Sequence, residues 1–398
     1  MKTKNLVGML IWVALTLCLA VASYLLINKK ESPVIVEVQQ VEQPFKRTIP
    51  NANLIRLDEY FSRQELHIGF SGVVLVGEHN HILYNRAFGL ANKRKKIPMT
   101  TETPFQLASV SKQFTAVCIL QLYERGLLQL TDTLGKFFPE LPYKQVTIHQ
   151  MLVHRSGLPN YHYLFDERVL QTDSAVTNQL LVNRLAERNE PRFFSPNARY
   201  MYSNTGYALL AAIVEKVSGM PFEQYLQQNV FQPLAMDSTF AYRALKSQTY
   251  PPHATGYLRG KQPAYDNYLD HFLGDKGIYA TSADLFRWDQ GLYSGKIINP
   301  DTLKLAFRPM GKVPTATENY GYGWRLREYN GDSIQYHSGW WHGFKTTLIR
   351  VPSRQITIIV LKNHARCGGI GRNQLLNIVL SDAPAPDYTY DELPEDED

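Results

Sequence analysis

Segments with the hydrophobic spacing of strands lie near both ends of the chain, and helix-like segments lie between them. FSGVVLVG (70–77) and HILYNRAFGLA (81–91) predict two strands joined by the tight polar turn EHN, after a helix over 53–66. TTLIRV (346–351) and ITIIVLKN (356–363) predict two further strands, and a closing helix is expected at about 369–380.

The middle of the chain, residues 127–250, favours helices separated by loops that contain proline. SNTGYALLAAIVEKVSG (203–219) is the clearest of these helices, and Gly219 marks its end. Strands at both ends with helices between them predict one α/β region, closed by both ends of the chain and carrying a helical insertion.

The first fifty residues differ in character from the rest. Residues 6–27 form an uncharged apolar run of 22 residues with a lysine pair on either side. About 20 such residues span a bilayer as a helix, so we expect a membrane anchor in residues 1–30, followed by a linker over 31–50. A cleaved signal segment is the alternative, with Ala20-Val21-Ala22 as the cleavage site. An anchor here would leave the bulk of the chain outside the cytoplasm, in the periplasm or at the cell surface.

Charge is distributed unevenly along the chain. Residues 382–398 hold eight acidic residues and no lysine or arginine, which predicts a disordered acidic tail. The whole chain carries a net charge of +6, so residues 1–381 carry +14. No basic run is interleaved with stacking aromatics, and we therefore expect no nucleic-acid partner. Cys118 and Cys367, the cysteines outside the apolar run, have the spacing of neither a disulfide framework nor a zinc site.

The stretch QLASVSKQFTA (106–116) places a serine and a lysine three residues apart at the start of an amphipathic helix. Ser109 and Lys112 would share one face of the first turn, where unpaired N–H groups and the helix dipole favour an ionised hydroxyl. A neighbouring amine can accept its proton, which suits a nucleophile. Alternatively, Ser109 caps the helix and Lys112 is solvated. Ser111 is a second candidate serine.

Two other stretches combine polar side chains with the start of a regular element. RFFSPNARYMYSNTGYALL (192–210) places Tyr202 and Asn204 at the mouth of a helix, where a tyrosine is a possible general base; a buried tyrosine and an N-cap asparagine are the alternative. YHSGWWHGFKTTLIRV (336–351) places His337-Ser338-Gly339 along a strand edge, where glycine allows close approach of a bound chain. A glycine-containing loop is the alternative. His337 and His342 lack an acidic partner in a metal motif, so we expect no metal.

Together and in this order, the Ser-x-x-Lys, Tyr-x-Asn and His-Ser-Gly motifs resemble the active-site motifs of the serine β-lactamase and penicillin-binding protein family. The nearest branch is that of class C β-lactamases, DD-carboxypeptidases and related esterases. MLVHRSGLPNY (151–161), GDKGIYATSADLFRW (274–288) and NYGYGWRL (319–326) support the resemblance, which covers roughly residues 50–380. It implies an antiparallel sheet flanked by helices, with the hydrolase domain over 51–381.

The resemblance also implies a role for each motif residue. Ser109 would be the acylated nucleophile, Lys112 its proton partner and Tyr202 the general base. Asn204 would hold Lys112 and the substrate amide. The site would also use His337, Ser338, Gly339 and Trp340, with the backbone N–H groups of Ser109 and Trp340 as the oxyanion hole. The Trp340 and Trp341 side chains would form an apolar wall, with core packing as the alternative. This chemistry needs no cofactor.

His337 departs from the lysine found at this position in most class C β-lactamases. A histidine is charged only in part near neutral pH, and we expect it to hold a substrate carboxylate as a partial cation. The departure favours a DD-carboxypeptidase or an esterase over a true β-lactamase. We therefore expect a membrane-anchored serine hydrolase acting on a D-amino-acid cell-wall peptide or an ester. The alternative is a catalytically idle relative that serves as a binding or scaffold module.

Overall fold

The protein is built around a seven-stranded antiparallel sheet, seen in a computed structural model that describes residues 47–165, 178–243, 249–258, 262–310, 318–366 and 368–381. The strands are β1 (Gly72–Glu78), β2 (His81–Phe88), β3 (Leu90–Asn92), β4 (Ile97–Pro98), β5 (Phe105–Gln106), β6 (Phe240–Ala241), β7 (Ile278–Ala280), β8 (Glu318–Tyr320), β9 (Arg325–Tyr329), β10 (Asp332–Trp341), β11 (Phe344–Val351) and β12 (Ile356–Lys362).

The helices lie on both faces of this sheet. The α-helices are α1 (Asn51–Ile68), α2 (Ser111–Glu124), α3 (Leu134–Phe137), α4 (Ile148–Leu152), α5 (Asn178–Arg188), α6 (Asn204–Ser218), α7 (Phe222–Leu226), α8 (Ser282–Ser294), α9 (Pro300–Leu303) and α10 (Arg372–Leu380). Short 3₁₀ turns occur at Ala108–Val110, Tyr161–Tyr163, Tyr268–His271, Lys304–Phe307 and Pro352–Arg354, and a π-helical turn, Gln227–Phe231, follows α7.

The sheet joins the two ends of the domain. Its strand order is β2-β1-β12-β11-β10-β9-β8, and β1 pairs antiparallel with β12 so that Gly72 lies opposite Lys362. The prediction of an antiparallel sheet built from both chain ends and flanked by helices is confirmed. From Ile49 onward the described chain forms one compact unit.

Two hydrophobic cores lie on opposite faces of the sheet, which explains the continuous apolar runs in the sequence. Successive side chains of a strand point to opposite faces. Val73 and Leu75 of β1 therefore pack into the core with the helical insertion, whereas Val74 and Val76 pack into the core beneath α1 and α10. A strand buried on both faces has no polar alternation.

The structure refines several predicted boundaries. The segment predicted as one strand over 81–91 is broken at Gly89, whose φ of 73° is accessible mainly to glycine, into β2 and β3. The region 127–250 holds helices α3 to α7 but also β6, which pairs with β7. Two-residue strands are too short to leave a periodic signal.

The predicted anchor at 6–27, the linker as far as residue 46 and the acidic tail from 382 lie outside the described residues. Within the described part of the chain, no helix combines the length and the apolar composition required to cross a membrane.

Candidate active site

Ser109 lies in the 3₁₀ turn that leads directly into α2. The turn starts at Ala108, whose φ of 49° is uncommon for a residue with a side chain. Ser109 is partly exposed, and its Oγ accepts a hydrogen bond from Lys112 instead of capping the helix. Ser111, in contrast, is fully buried and accepts a hydrogen bond from the backbone N–H of Ile278. Ser109 is thus the accessible serine of the pair.

Lys112 is fully buried, so the interpretation as a solvated side chain is wrong. Its Nζ donates three hydrogen bonds, to Ser109 Oγ at 3.1 Å, to Asn204 Oδ1 at 2.8 Å and to the Asp275 carbonyl at 2.9 Å. The ammonium position also lies 4.8 Å from the centroid of the Tyr202 ring. The Ser109, Tyr202 and Asn204 side chains, which the sequence assigned to the site together with Lys112, therefore lie around the Lys112 amine.

The carbonyl acceptor of Lys112 is supplied by a segment that packs tightly between α2 and α6. Thr115 on α2 donates to the Gly274 carbonyl at 2.7 Å. A side chain at position 274 would place Cβ 2.4 Å from the Tyr207 carbonyl of α6, so only glycine fits. The following residue, Asp275, is buried, and its carboxylate accepts a hydrogen bond from Tyr161 at 3.0 Å and lies 3.3 Å from Lys276 Nζ.

Burial favours the uncharged form of both Lys112 and Tyr202, so the pKa of the amine is lowered and the pKa of the phenol is raised. Burial lowers the pKa of the Lys112 amine from 10.5 to about 7; the Asp275 carboxylate opposes this change and the Arg325 guanidinium adds to it. Burial raises the pKa of the Tyr202 phenol well above 10.0, and the adjacent Ser109 hydroxyl offsets only part of the rise. Near neutral pH the amine is therefore neutral in a large fraction of molecules, whereas the phenol keeps its proton.

Asn204 is available to Lys112 because the neighbouring serine caps the helix. Ser203 is the N-cap residue of α6, and its Oγ accepts from the Gly206 N–H at 3.2 Å. The interpretation of Asn204 as the N-cap is therefore wrong. Asn204 is the first residue of α6 and points its side-chain oxygen at Lys112.

The second half of β10 forms an open edge beside Ser109. Pairing with β9 ends where Tyr336 lies opposite Arg325. From His337 to Trp341, β11 is the strand partner of β10 among the described strands. Unpaired strand edges can bind an extended chain, so the predicted strand edge at His337-Ser338-Gly339 is present. The Trp340 side chain there is 59% exposed.

Gly339 packs against the turn that holds the nucleophile, and this corrects the expected role of the glycine. A Cβ at this position would lie 2.2 Å from the Leu107 carbonyl and 2.5 Å from Thr346 Oγ1. Thr346 itself donates to the same carbonyl at 2.7 Å. The missing side chain allows the approach of the protein's own backbone, not that of a bound chain.

We expect Gly339→Ala to destabilise the fold and to slow any reaction at Ser109, because the added methyl overlaps a backbone oxygen. Overpacking of this kind typically costs about 1–3 kcal/mol. Urea denaturation should show the loss of stability. Gly206→Ala is the matched control, since its Cβ would find ordinary contacts at 3.5 Å, and alanine favours a helix by up to about 1 kcal/mol. Equal stability of the two variants would contradict the prediction.

His337 is buried beneath the open edge and does not present a cation to a substrate. Its Nδ1 donates to the Ser338 carbonyl at 2.7 Å, so Nε2 accepts from the Tyr320 hydroxyl at 2.9 Å. Burial lowers the pKa of His337 well below 6.5, and the charges of Arg325 and Lys112 lower it further. The expectation of a partly charged His337 that holds a carboxylate is therefore wrong. Ser338 remains partly exposed, with its Oγ 3.3 Å from Thr347 Oγ1.

Three site residues lay inside the supporting stretches but were not identified from the sequence. Asp275 acts through its carbonyl, which no side-chain pattern can reveal. Arg325 follows the GYGW run and brings a permanent cation to the start of β9, 3.2 Å from Glu318. His154, in the HRSGLP run, packs against Tyr202 with ring centroids 4.2 Å apart. The available signal was a polar residue within three positions of a glycine in each run.

The wall beyond Trp340 is more polar than expected. Trp341 Nε1 donates to Asp270 Oδ1, and the second oxygen of this buried carboxylate lies 2.7 Å from His342 Nε2. His342 thus has an acidic partner from a distant segment, contrary to the sequence interpretation. A potential metal-ligating atom from each of Asp266, Asp270 and His342 lies within 4.8 Å of the other two. Asp270 accepts from Trp341 and Asn267, and Asp266 accepts from Tyr242, so hydrogen bonds account for both carboxylates.

Comparison with known proteins agrees with this geometry. The beta-lactamase family model matches residues 59–378. The chain is 37% identical to penicillin-binding protein 4* of Bacillus subtilis over 308 residues, which cover 74% of this chain and 68% of that protein. A crystal structure of a penicillin-binding protein from Bacillus halodurans superimposes with a TM-score of 0.67 at 25% identity, covering 77% of this chain and 96% of that one.

A D-aminopeptidase of Gluconobacter oxydans is 25% identical over 324 residues, covering 78% of this chain. The match spans 59% of the length of that enzyme. With the family model matching most of the chain and its motif residues gathered around Ser109, the protein belongs to the β-lactamase family of serine hydrolases, alongside penicillin-binding proteins and D-aminopeptidases.

Proposed function

We propose that the protein hydrolyses an amide or ester bond of a D-amino-acid compound through an acyl-enzyme on Ser109. One observation carries the proposal: the buried amine of Lys112, with a pKa near 7, lies 3.1 Å from the Ser109 hydroxyl. An amine that is neutral at working pH and within hydrogen-bond reach is a competent general base. The names of the relatives, which include penicillin-binding proteins and a D-aminopeptidase, support the substrate class.

In the proposed reaction Lys112, and not Tyr202, takes the proton of Ser109. Ser109 Oγ then bonds to the substrate carbonyl carbon, and the backbone N–H groups of Ser109 and Trp340 stabilise the resulting oxyanion. The neutral Tyr202 phenol gives its proton to the departing amine or alcohol and regains one from Lys112. A water molecule then attacks the acyl carbon and gives its proton to Tyr202, which passes its own to Lys112. The bond between the acyl carbon and Ser109 Oγ breaks, the acid leaves, and Lys112 returns the proton to Ser109.

Arg325 supports a peptidase with a free carboxylate on the leaving group. It lies opposite Tyr336, at the point where the open edge of β10 begins, and its charge already lowers the pKa of His337 and Lys112. A guanidinium binds carboxylates strongly because its N–H groups match the two oxygens. Arg325 thus takes the part that the sequence assigned to His337.

Arg325→Gln is expected to reduce kcat/KM about tenfold or more for a D-alanyl-D-alanine peptide, since tenfold corresponds to the loss of about 1.4 kcal/mol. The same peptide with a C-terminal amide should be affected much less. Rates are compared at pH 8.5, because the loss of a cation raises the pKa of Lys112. Arg327→Gln, two residues along β9, is the matched control. An equal loss on both substrates would exclude carboxylate recognition.

The first experiment incubates the full-length protein with a fluorescent penicillin and measures intact mass. The substrate panel contains a D-alanyl-D-alanine peptide, a D-amino-acid amide, a nitrophenyl ester and a chromogenic cephalosporin. A long-lived adduct with peptide turnover supports the peptidase, and rapid cephalosporin destruction indicates a β-lactamase. A folded protein with neither adduct nor turnover would leave the idle binding module, against which the assembled Ser109-Lys112-Asn204 contacts argue.

The proposal includes a membrane anchor at residues 6–27 and a catalytic unit outside the cytoplasm. An uncharged run of 22 apolar residues with lysines on both sides supports it. Protease accessibility in intact spheroplasts tests the location: digestion of the catalytic unit supports it, and protection contradicts it.

A further inference from the structure

His154 is fully buried beside the site and has no role in the reaction proposed above. It forms hydrogen bonds with the residues on either side of Tyr202 in the chain. The His154 carbonyl accepts from the Met201 N–H at 2.9 Å, and its Nδ1 accepts from the Ser203 N–H at 3.1 Å. Its ring contacts the Tyr202 ring in a tilted arrangement, with centroids 4.2 Å apart and the planes at 39°. One residue therefore fixes both backbone neighbours of Tyr202 and one face of its ring.

The bond to Ser203 requires a neutral imidazole. Nδ1 accepts a hydrogen bond only while it is unprotonated, which places the ring proton on Nε2. Burial lowers the pKa of His154 well below 6.5, and the Lys112 charge lowers it further. The acceptor is therefore kept throughout the pH range in which Lys112 changes its charge.

Tyr202 needs this support because neither a regular element nor a hydrogen bond of its hydroxyl orients it. It lies ahead of α6, in a stretch without regular secondary structure. Its hydroxyl makes no hydrogen bond of good geometry with any described side chain or backbone group. A displacement of about 1 Å in a reacting group can cost about a hundredfold in rate, so the backbone must hold the ring.

The backbone of His154 is itself in an unusual conformation that the surroundings maintain. Its φ is 58°, in the left-handed region, where asparagine and histidine are enriched among non-glycine residues. The next residue, Arg155, donates to the Gln150 carbonyl at 2.8 Å and accepts from the Asn197 N–H at 2.9 Å. Residues held in this way at functional sites commonly aim a side chain.

We propose that His154 is a positioning residue that holds Tyr202 in register with Ser109 through the Ser203 N–H bond and the ring contact. This deepens the function proposed above and rests on it. His154→Phe keeps the ring and removes the acceptor, whereas His154→Asn keeps an acceptor near the Nδ1 position and suits the left-handed backbone. His149→Phe is the matched control, since His149 lies on α4 and contacts Tyr322.

The test measures the rate of acylation of the full-length protein by fluorescent penicillin, together with amide hydrogen exchange of residues 199–206. His154→Phe should acylate about 10–100-fold more slowly and exchange faster. His154→Asn should stay within about fivefold of the unmodified protein, and His149→Phe should match it. In a Tyr202→Phe background His154→Phe should add no further loss, because the phenol through which it acts is gone. A merely structural role would lower the rate in both backgrounds.

Full-rate acylation by folded His154→Phe, or additive losses in the double variant, overturns the inference. If His154→Phe does not fold, the His154→Asn variant decides. A folded His154→Asn variant whose acylation is more than tenfold slower than that of the unmodified protein contradicts the inference, and a near-normal rate supports it. If the unmodified protein is not acylated at all, the proposed function fails, and amide exchange alone decides the role of His154. Faster exchange in His154→Phe then supports it, and unchanged exchange overturns it.

Discussion

Ser109→Ala should form no covalent adduct with penicillin and should hydrolyse none of the substrates that the unmodified protein turns over. The reason is that the accessible hydroxyl, which Lys112 contacts at 3.1 Å, is the atom that would carry the acyl group. Removing a nucleophile lowers turnover by several orders of magnitude, although substrate positioning and the oxyanion hole still support a small residual rate. Intact mass before and after incubation gives the readout.

Ser111→Ala is the control for this experiment, because the two serines are two residues apart and differ in exposure. It should keep the adduct, at a stability cost of about 1–3 kcal/mol for the Ile278 N–H left without its acceptor. Thermal melts of both variants separate loss of chemistry from loss of fold. An adduct that persists in Ser109→Ala and disappears in Ser111→Ala would reverse the assignment of the nucleophile.

Lys112 should control the pH dependence of acylation. A base acts in its unprotonated form, so the acylation rate should rise about tenfold per pH unit below the pKa of Lys112 and become level above about 7. Lys112→Arg retains a positive charge at every accessible pH and should lower the rate by about 10²–10⁴-fold, the usual contribution of general-base catalysis. Single-turnover acylation between pH 5.5 and 9 provides the measurement.

Lys362→Met is the control for the removal of a buried lysine. Lys362 lies at the end of β12 and donates to the Gly368 carbonyl, on a different part of the sheet. The acylation rate of Lys362→Met should depend on pH in the same way as that of the unmodified protein. A flat profile in the unmodified protein, or a Lys112→Arg variant of normal rate, would assign the base to another group.

The sequence predicted those parts of the fold that local pattern determines. The apolar runs around Val74 and Ile358 have the length and composition of doubly buried strands, and Gly219 ends α6 with a φ of 71°. Boundaries were less certain where a single dihedral decides them, as at Gly89. The two-residue strands depend on tertiary pairing that no local pattern encodes.

The candidate site was predictable where side-chain identity carries the chemistry. The Ser109-Lys112 pair and Asn204 meet as their motifs implied. The charge states were not predictable, because the pKa of Lys112 and His337 depends on burial by segments far away in the chain. The partnership of His342 with Asp270 likewise joins residues 72 positions apart, and spacing along a chain says nothing about such contacts.

The pairing of β1 with β12 means that the central sheet can close only late in synthesis of the chain. Residues 72 and 362 must meet before the central sheet closes, and pairing across such a separation makes folding slow. While the ribosome is still producing the later segments, the β1–β2 hairpin carries an open edge that is prone to aggregation. The serine and the lysine are synthesised early, but the β10 glycine against which their turn packs comes more than 200 residues later. A chain that ends before β10 therefore lacks the glycine against which the Ser109 turn packs, and we expect the arrangement around Ser109 to form only after β10 has been synthesised.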